Sequence, residues 1–539
     1  MTNEDRSAAT SDMTLSSSAD GAALRERTAA VTERTGLTGP GVGDEIGADA
    51  EPDAAPLQDR LETIEADFTE TVVPQSAKRS NFRMFLTFGS MQLVFGAVLV
   101  GYDARFQGLS LGRLMVAMAI AATAMTVYCI GSANVGAVVG QTHSVTTRGV
   151  LGTSGSAIVS LLLVVDGLGF YLFTVLLVMT LFQALFGSFP AMSLFTALLA
   201  FVMGVNNYFG FTGLQRFAQF VVVPIVVIWG VYAVIKSFVS TSSHLLAAVP
   251  HASSPSATLF VAGAMIGLST WGNEPDVFRY AKAGRASWWN IPTLAIPYYI
   301  GAFLFPIMGY LVASLSGQSN FGISIRYFAK FTLFGVAALM MVVLLVNQWA
   351  VQDGNLYIAI NGAQNLLSRI PRWKRQYTVI GLGLVAAGLT YVRPSLTKTF
   401  NIVTGIGAVT VPVASTIMAM DVFVVPRLFG LNRPLYRVAL WGELSLGNWP
   451  GIAALLAGTA VGAITGGLIP GTSGFGVTYI GFRPLQAWAT GAVVYLIAVA
   501  VVVRFKNPKQ LLGWSQLPEV PDTTESGALR GTTTVPAGD

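Results

Sequence analysis

Two acidic residues stand inside long apolar stretches of this sequence and could do chemistry there. Asp166 lies within 161–170, and Asp353 lies within 347–355. An ionisable group inside hydrocarbon costs several kcal/mol unless it is paired or hydrated. Each acid is therefore either a neutral carboxyl that bonds to a gap in a neighbouring helix or a group that binds a proton or another cation. We favour the second interpretation and predict Asp166 and Asp353 as ion-coupling residues.

A row of amide side chains accompanies Asp353. Gln348, Gln352 and Asn355 follow at i, i+4 and i+7, which places them on one face of a helix. An amide both donates and accepts hydrogen bonds, which suits the edge of a heterocyclic amide. A similar stripe at i, i+4 and i+8 comprises Asp166, Phe170 and Thr174. We predict that both faces line one binding site.

Glycine and proline interrupt two of the apolar stretches. The first stretch contains Gly89 and Gly96, and another contains Gly272 and Pro275, where proline removes a backbone donor. Interrupted helices at corresponding places are typical of inverted-repeat transporters, although glycine is also frequent in ordinary membrane helices. The predicted substrate contacts at the two interruptions are Gln92, Phe95, Gly96, Thr270 and Trp271.

Three aromatic side chains could stack on a flat ligand: Phe95, Phe170 and Trp271. The alternative for each one is ordinary packing against lipid or the protein core. Three aromatics beside a polar amide face favour the stacking interpretation.

Two acid–base pairs stand near the ends of apolar stretches. Asp276 is followed by Arg279, and Asp421 is followed by Arg427. We predict that each pair forms an ion-pair gate at the cytoplasmic end of its helix, rather than a contact with substrate.

The elements that position these residues follow from composition. The chain has 539 residues, of which 53% are hydrophobic and 11% are charged. A soluble protein carries about 25% charged residues, so this composition indicates a polytopic membrane protein.

About twelve apolar stretches are long enough to cross a bilayer, which takes roughly 20 residues. These predicted spans, numbered 1 to 12, lie near 83–103, 111–134, 155–186, 189–207, 215–238, 258–280, 292–316, 331–363, 376–392, 398–425, 449–469 and 482–504. Because backbone polar groups in hydrocarbon need internal partners, we expect an all-α fold.

Charge is distributed unevenly along the chain. Residues 1–80 hold about 16 of the 27 acids and about 7 of the 32 bases. We therefore predict a disordered acidic tail over 1–81, a transmembrane transporter domain over 82–505 and a C-terminal tail over 506–539. Lys and Arg residues in the loops on one side of the predicted membrane body outnumber those on the other side by roughly two to one. This bias places both termini in the cytoplasm. The basic body indicates orientation in a lipid bilayer, here the cell membrane, and not a nucleic-acid partner.

Few residues are suited to metal or covalent chemistry. There is one cysteine, Cys129, and there are three histidines, none of them in a paired motif. We expect no metal, no cofactor and no catalytic residues, and we infer that the protein is not an enzyme.

Short motifs in this chain resemble those of the nucleobase:cation symporter-1 family, closest to its purine/cytosine permease branch. The resemblance covers most of 82–505 and rests on six motifs in order: Phe106-Gln-Gly-Leu-Ser-Leu111, Arg148-x-x-x-Gly-x-x-Gly155 with Gly169-Phe170, Pro275-Asp276-x-x-Arg279-Tyr280, Asn355-Leu-Tyr357 with Gln364, Asp421 with Arg427, and Gly447-Asn448-Trp449. It implies a five-plus-five inverted repeat with discontinuous helices 1 and 6 and two extra helices. It also implies a nucleobase-type substrate between helices 1, 3, 6 and 8.

Two departures from the family pattern affect specificity. The stacking tryptophan of helix 3 corresponds to Phe170 here, which leaves purines, pyrimidines and other flat heterocycles open. The sodium-binding hydroxyls of helix 8 fall near Leu345 and Val346, whose side chains carry no oxygen. We therefore prefer H⁺ to Na⁺ as the co-transported cation and Asp166 as the coupling residue.

These observations predict a secondary active importer of nucleobases or related heterocycles that works by alternating access. One alternative is an amino-acid or amine symporter of the same fold, in which a helix N-terminus would hold a carboxylate. Another is a channel or a non-transporting receptor.

Overall fold

Local signals at both ends explain why the predicted spans fold as separate helices. Helix α3 (Leu111–Val139) begins after Ser110, whose hydroxyl accepts a hydrogen bond from the Arg113 amide. It ends at Gly140, which has φ +70°, a conformation that glycine adopts without steric cost.

We describe a computed structural model that covers residues 70–247, 255–270, 272, 274–282, 290–327, 336–370, 372–431, 433–434, 437–469, 482–505 and 511–514. These residues belong to one unit, Glu62–Asp539. Most of the two predicted tails, and the predicted site residue Trp271, lie outside the described residues.

Every predicted span coincides with at least one helix. In chain order the helices of the described residues are α1 (Asn81–Gln92), α2 (Val98–Phe106), α3, α4 (His143–Phe186), α5 (Met192–Met203), α6 (Gly210–Phe217), α7 (Val223–Ser240), α8 (Ser243–Ala247), α9 (Pro255–Ser269), α10 (Glu274–Phe278), α11 (Asn290–Ser316), α12 (Phe321–Ser324), α13 (Ala337–Leu367), α14 (Arg375–Tyr391), α15 (Leu396–Gly407), α16 (Val411–Ala419), α17 (Val425–Phe429), α18 (Trp449–Thr465) and α19 (Arg483–Val502). Within the described residues, six helical stretches are long and apolar enough to cross a membrane, and the bent pair α1–α2 makes a seventh. The chain is thus a multi-pass membrane protein, as predicted.

The two predicted helix interruptions are confirmed. Helices α1 and α2 meet at a bend of 46°, and a short 3₁₀ turn over Phe95–Ala97 joins them. Helix α9 ends at Ser269 and α10 begins at Glu274, and Gly272 between them has φ +79°.

A third interruption, which sequence analysis did not predict, lies within the predicted span over 398–425, although Leu396–Phe429 is still one stretch long and apolar enough to cross a membrane. Helix α15 ends at Gly407, and α16 begins at Val411 after Thr410, whose φ of −106° and ψ of −85° are not helical. Pro412 lies in the first turn of α16, where its missing N–H needs no partner. Glycine and proline therefore end one helix and begin another within a stretch whose apolarity is continuous.

The helices pack in the two groups expected of an inverted repeat. Helix α11 packs against α1, α2 and α3, whereas α13 runs along α4, and α14 packs on α5. Close backbone contact holds the first group together, since a Cβ added to Gly101 would lie 1.7 Å from the carbonyl oxygen of Pro306. The predicted all-α fold with discontinuous helices 1 and 6 is confirmed.

A small β-ribbon lies outside the helical body. Strand β1 (Leu444–Asn448) pairs antiparallel with β2 (Leu512–Trp514), with Leu444 opposite Trp514. Strand β1 packs against α4, where an added Cβ at Gly152 would lie 2.8 Å from Gly447 Cα. We call this end of the body the basic end, because it carries Lys78, Arg148, Arg279, Arg369 and Arg433.

Candidate substrate-binding site

One amide side chain closes the break between α1 and α2. The Nδ2 atom of Asn347 donates to the Leu93 carbonyl oxygen at 2.5 Å, and its Oδ1 accepts from the Phe95 amide at 3.1 Å. A helix break exposes backbone groups that would be costly to bury without partners. Asn347 satisfies one group of each kind, and Gln348 Nε2 donates to the same Oδ1 at 2.6 Å.

Several neighbouring amide atoms remain without a partner although they are buried. Both polar atoms of the Gln92 side chain make no hydrogen bond, and neither do Gln348 Oε1 and Asn355 Oδ1. Each of the three residues is at most 1% exposed. Native proteins pair almost all buried polar atoms, so these unpaired amide atoms are candidates for hydrogen bonds to a polar ligand.

Other members of the predicted amide face connect helices. Gln352 Nε2 donates to the Tyr171 carbonyl oxygen of α4 at 2.8 Å, and its Oε1 accepts from Asn355 Nδ2 at 3.1 Å. The helices approach closely here, since a Cβ on Gly167 would lie 2.6 Å from the Asn355 carbonyl oxygen. Gln352 therefore fixes α13 to α4, while Asn355 keeps an unpaired acceptor.

The predicted aromatic and small residues lie on different sides of the breaks. Phe95 packs edge-on against Phe305 at 5.7 Å between ring centroids and lies 6.2 Å from Trp229. The ring of Phe170 reaches the end of α15, where it would be 2.9 Å from a Cβ on Gly407. Phe170 therefore lies beside the break between α15 and α16. Phe95 has its ring in the packing against α7 and α11.

The remaining predicted contacts have local roles in the structure. Gly96 faces α4, where an added Cβ would lie 2.9 Å from the Phe173 ring. The hydroxyls of Thr174 and Thr270 each donate to a carbonyl oxygen one turn earlier in their own helices, at 2.9 Å and 2.7 Å.

A polar cavity of about 350 Å³ lies at the end of the body opposite the basic end. Asp103, Asn401 and Arg483 are among the residues that line it. Phe400 also lines it and packs on Phe173 at 5.3 Å, so these two rings separate the cavity from Gly96. The volume is within the range of small-molecule sites.

The two predicted ion-coupling acids contact different elements. Asp166 Oδ2 accepts from the Thr410 hydroxyl at 2.9 Å, inside the break between α15 and α16. Asp353 Oδ2 accepts from Asn206 Nδ2 at 2.9 Å, in the turn between α5 and α6. Their hydrogen-bond partners therefore lie in different elements. Both alternatives, a carboxyl bonded to a helix gap and an ion-coupling acid, fit the contact of Asp166.

The predicted pairing of Asp421 with Arg427 is wrong. Asp421 forms its ion pair with Arg433 at 2.7 Å, and it also accepts from the Tyr495 hydroxyl, whereas Arg427 is exposed. A π-helical turn over Met420–Val424 buries Asp421, and the loop after α17 brings Arg433 back to it. Sequence distance favoured Arg427, but the chain reversal could not be deduced from it.

Asp276 and Arg279 make contacts that join several helices. Asp276 Oδ1 accepts from Asn361 Nδ2 at 2.8 Å and from the His143 amide at 3.2 Å. Arg279 donates to the Tyr357 hydroxyl at 2.7 Å. Both residues therefore connect α10 with α13 at the basic end, where the gate was predicted.

Sequence analysis did not single out Asn347, Thr410 or Arg433. Asn347 directly precedes Gln348 in the same polar run, so its presence beside the site was detectable. Its role was not, because it depends on the distance to the α1–α2 break. Among the described residues, no group of three acidic, histidine or cysteine side chains could hold a metal ion.

No protein-family model matches this sequence, and no curated protein matches it. Its fold is similar to that of Mhp1, a nucleobase-cation-symport-1 family transporter, in a closed conformation with bromovinylhydantoin bound. That match has a TM-score of 0.63 and 16% identity, and it covers 82% of this chain and 98% of the other. Mhp1 in its inward-facing conformation matches with a TM-score of 0.58 and 19% identity. That match covers 81% of this chain and 95% of the other.

A more distant neighbour is a Na⁺-coupled sialic acid symporter in a substrate-bound outward-open state. It matches with a TM-score of 0.55 and 9% identity and covers 81% of this chain and 95% of its own. At these identities the similarity shows the fold. The fold implied by the family resemblance is thus confirmed, and these neighbours are transporters.

Proposed function

We propose that this protein belongs to the nucleobase:cation symporter-1 family and imports a nucleobase or a related flat heterocycle. The observation that carries the proposal is the set of buried, unpaired amide atoms on Gln92, Gln348 and Asn355. They offer acceptors and a donor beside the helix break, and a cyclic amide or imide presents the matching groups at its edge. The bound heterocycle of Mhp1 supports the same ligand class.

The individual roles follow from chemistry. Gln92, Gln348 and Asn355 bond the edge of the substrate, and Phe170 and Trp271 stack on its ring. Gly96 leaves room at the break, while Gln352 positions Asn355 through their hydrogen bond. Phe95, Thr174 and Thr270 remain proposed contacts of the same site.

We propose H⁺ as the co-transported cation, with Asp166 as the preferred coupling residue and Asp353 as the alternative. The Asn347 amide supports this preference because its donor already occupies the Leu93 carbonyl oxygen at the helix break. Carbonyl oxygens at such breaks are the groups that bind coupling cations in transporters of this architecture. The basic end then faces the cytoplasm, and both termini lie on the cytoplasmic side of the cell membrane.

An uptake-competition assay tests the substrate class. Cells that lack endogenous permeases would express the protein and receive labelled cytosine, adenine, uracil, hydantoin or amino acids. We expect one heterocycle to accumulate against its gradient, and we expect Asn355→Ala to reduce its uptake at least tenfold. Thr126→Val is the matched control, because among the described residues the Thr126 hydroxyl bonds only to the carbonyl oxygen of Ala122 in its own helix. Accumulation of an amino acid alone would favour the alternative symporter, and equilibration without accumulation would indicate a channel.

Proteoliposomes test the coupling ion. Uptake is expected to follow an imposed pH gradient and to be independent of a Na⁺ gradient. Asp166→Asn should abolish concentrative uptake and leave some exchange of internal for external substrate, since the neutral amide cannot release a proton. Normal accumulation by this variant, or uptake that depends only on Na⁺, would refute the assignment.

A further inference from the structure

A third buried carboxyl group lies outside the proposed substrate site. Glu274 is the first residue of α10, directly after the break between α9 and α10, and it is completely buried. Its Oε2 atom lies 3.3 Å from the Tyr128 hydroxyl and 3.4 Å from the Ser132 hydroxyl. Its Oε1 atom lies 3.3 Å from the Tyr298 hydroxyl. Three hydroxyl donors from α3 and α11 therefore surround this carboxyl group.

The charged and titratable groups around Glu274 include no cation that contacts it, within the part of the chain the structure describes. The sulfur of Cys129 on α3 lies 3.3 Å from the Tyr298 hydroxyl, whose one hydrogen can point either to this sulfur or to Glu274. His143 is directed to the carbonyl oxygen of Gly272 at 2.8 Å. On α10 itself, Asp276 bonds to Asn361, and Arg279, which follows α10, donates to Tyr357.

A buried carboxylate with no cation beside it, whose side-chain partners are hydroxyl groups, is costly. Removing its charge from water costs several kcal/mol, and hydrogen bonds of 3.3–3.4 Å compensate only in part. Protonation removes the charge and turns one oxygen into a donor. The surroundings also resist rearrangement, because Phe88 packs edge-on against Tyr298 at 5.4 Å, and a Cβ on Gly136 would lie 2.4 Å from the Pro275 carbonyl oxygen.

We infer that Glu274 is a second proton-binding site, separate from the substrate site, whose occupancy controls how firmly α10 is held against α3 and α11. As a carboxylate, Glu274 accepts three charge-assisted hydrogen bonds that tie α10 to both helices. As a neutral acid it loses that charge assistance, and α10 is released. The same helix carries Asp276, which contacts α13, so the state of Glu274 affects the connection between the two helix groups.

Glu274→Gln tests the proton site without any substrate. The amide has the shape of the protonated acid but cannot titrate. Infrared difference spectra of the purified full-length protein, recorded between acid and alkaline pH, should show a neutral carboxyl band in the wild type that is missing in Glu274→Gln. Glu443→Gln is the matched control, since Glu443 is a peripheral acid paired with Arg437 at 2.7 Å. An unchanged spectrum of Glu274→Gln would overturn the inference.

A conservative variant gives a second substrate-free readout. Tyr298→Phe removes one donor to the carboxylate and keeps the ring packing, so the charged form is disfavoured. The pH midpoint of the Glu274 band should therefore move upward, by about one unit for each tenfold loss of preference for the charged form. A midpoint that stays constant in Tyr298→Phe would contradict the assignment, and this variant also serves if Glu274→Gln fails to fold.

The transport consequence rests on the proposed function. Substrate exchange, which needs no net proton movement, should become faster in the wild type as pH falls through the Glu274 titration. Glu274→Gln should exchange at the rapid low-pH rate over the whole pH range. If the band is lost in Glu274→Gln but no heterocycle exchanges in the wild type, the proton site stands and the proposed function fails. If exchange occurs with the same pH profile in both proteins, the control of α10 is refuted.

Discussion

At the scale of single residues, the site depends on amide side chains that replace backbone partners. Asn347 supplies a donor to the Leu93 carbonyl oxygen and an acceptor to the Phe95 amide. Gln352 donates to the Tyr171 carbonyl oxygen of a second helix, and its own oxygen accepts from the Asn355 side chain. An amide both donates and accepts hydrogen bonds and leucine does neither, so leucine cannot replace either residue without leaving buried groups unpaired.

We predict that Asn347→Leu loses about 1–3 kcal/mol of stability for the buried backbone groups it leaves unpaired. Its shape is close to that of asparagine, so the loss reflects hydrogen bonding and not a cavity. The measurement is the shift in thermal melting of the purified protein, together with heterocycle uptake, which should fall below detection. Thr126→Val should melt like the wild type. Equal melting of Asn347→Leu and the wild type would show that the break does not need this amide.

At the scale of elements, the β-ribbon ties the C-terminal segment to the helix that carries Asp166. Arg433 donates to the carbonyl oxygens of Gly149 on α4 and Leu512 on β2, at 3.1 Å and 2.6 Å. Trp514 also donates its indole N–H to Gly149 at 2.8 Å. Strand β2 thus completes the hydrogen bonding next to Gly152, where φ is +74° and α4 is kinked.

We predict that truncation after residue 510 lowers the melting temperature and reduces transport, because Arg433 and β1 lose their partners on β2. Truncation after residue 514 is the matched control, since it keeps β2 and removes only the residues that follow. It should behave like the full chain. If both truncations give the same melting temperature, β2 contributes nothing to the stability of the α4 kink.

Sequence analysis located the helices and two of the three breaks for identifiable reasons. Gly89 and Gly96 in the first span, and Gly272 with Pro275 in the sixth, disrupt helices locally, so the breaks near them were predictable. The break at Thr410 was missed because its neighbours Val409 and Val411 continue the apolar run. The partners of Asp166 and Asp421 depend on long-range packing, which no local pattern specifies.

At the scale of the whole molecule, a short segment before the first helix closes the basic end. We call Val73–Arg79 the N-terminal strap. The Val73 amide donates to the Gly140 carbonyl oxygen after α3 at 2.9 Å, and the Arg79 amide donates to the Tyr280 carbonyl oxygen after α10 at 2.6 Å. Lys78 Nζ reaches the carbonyl oxygens of Ala137 and Arg279, at 3.2 Å and 2.5 Å. The strap therefore joins the end of α3 to the segment that follows α10.

The strap should be held more tightly as pH rises above 8. Burial, with the nearby Arg279 guanidinium, lowers the pKa of docked Lys78 to about 8, whereas the usual value is 10.5. Between these values a released lysine binds a proton that the docked lysine has lost, so docking gains up to about tenfold per pH unit across this window. Below pH 8 the lysine is charged in both states, and docking is independent of pH.

Hydrogen exchange of the peptide that contains residues 73–79 measures strap release. Lys78→Met provides the reference at each pH, because its uncharged side chain removes the lysine titration but keeps the intrinsic pH dependence of exchange. The ratio of wild-type to Lys78→Met exchange should fall from pH 8 to pH 10; a constant ratio would show that Lys78 does not govern the strap.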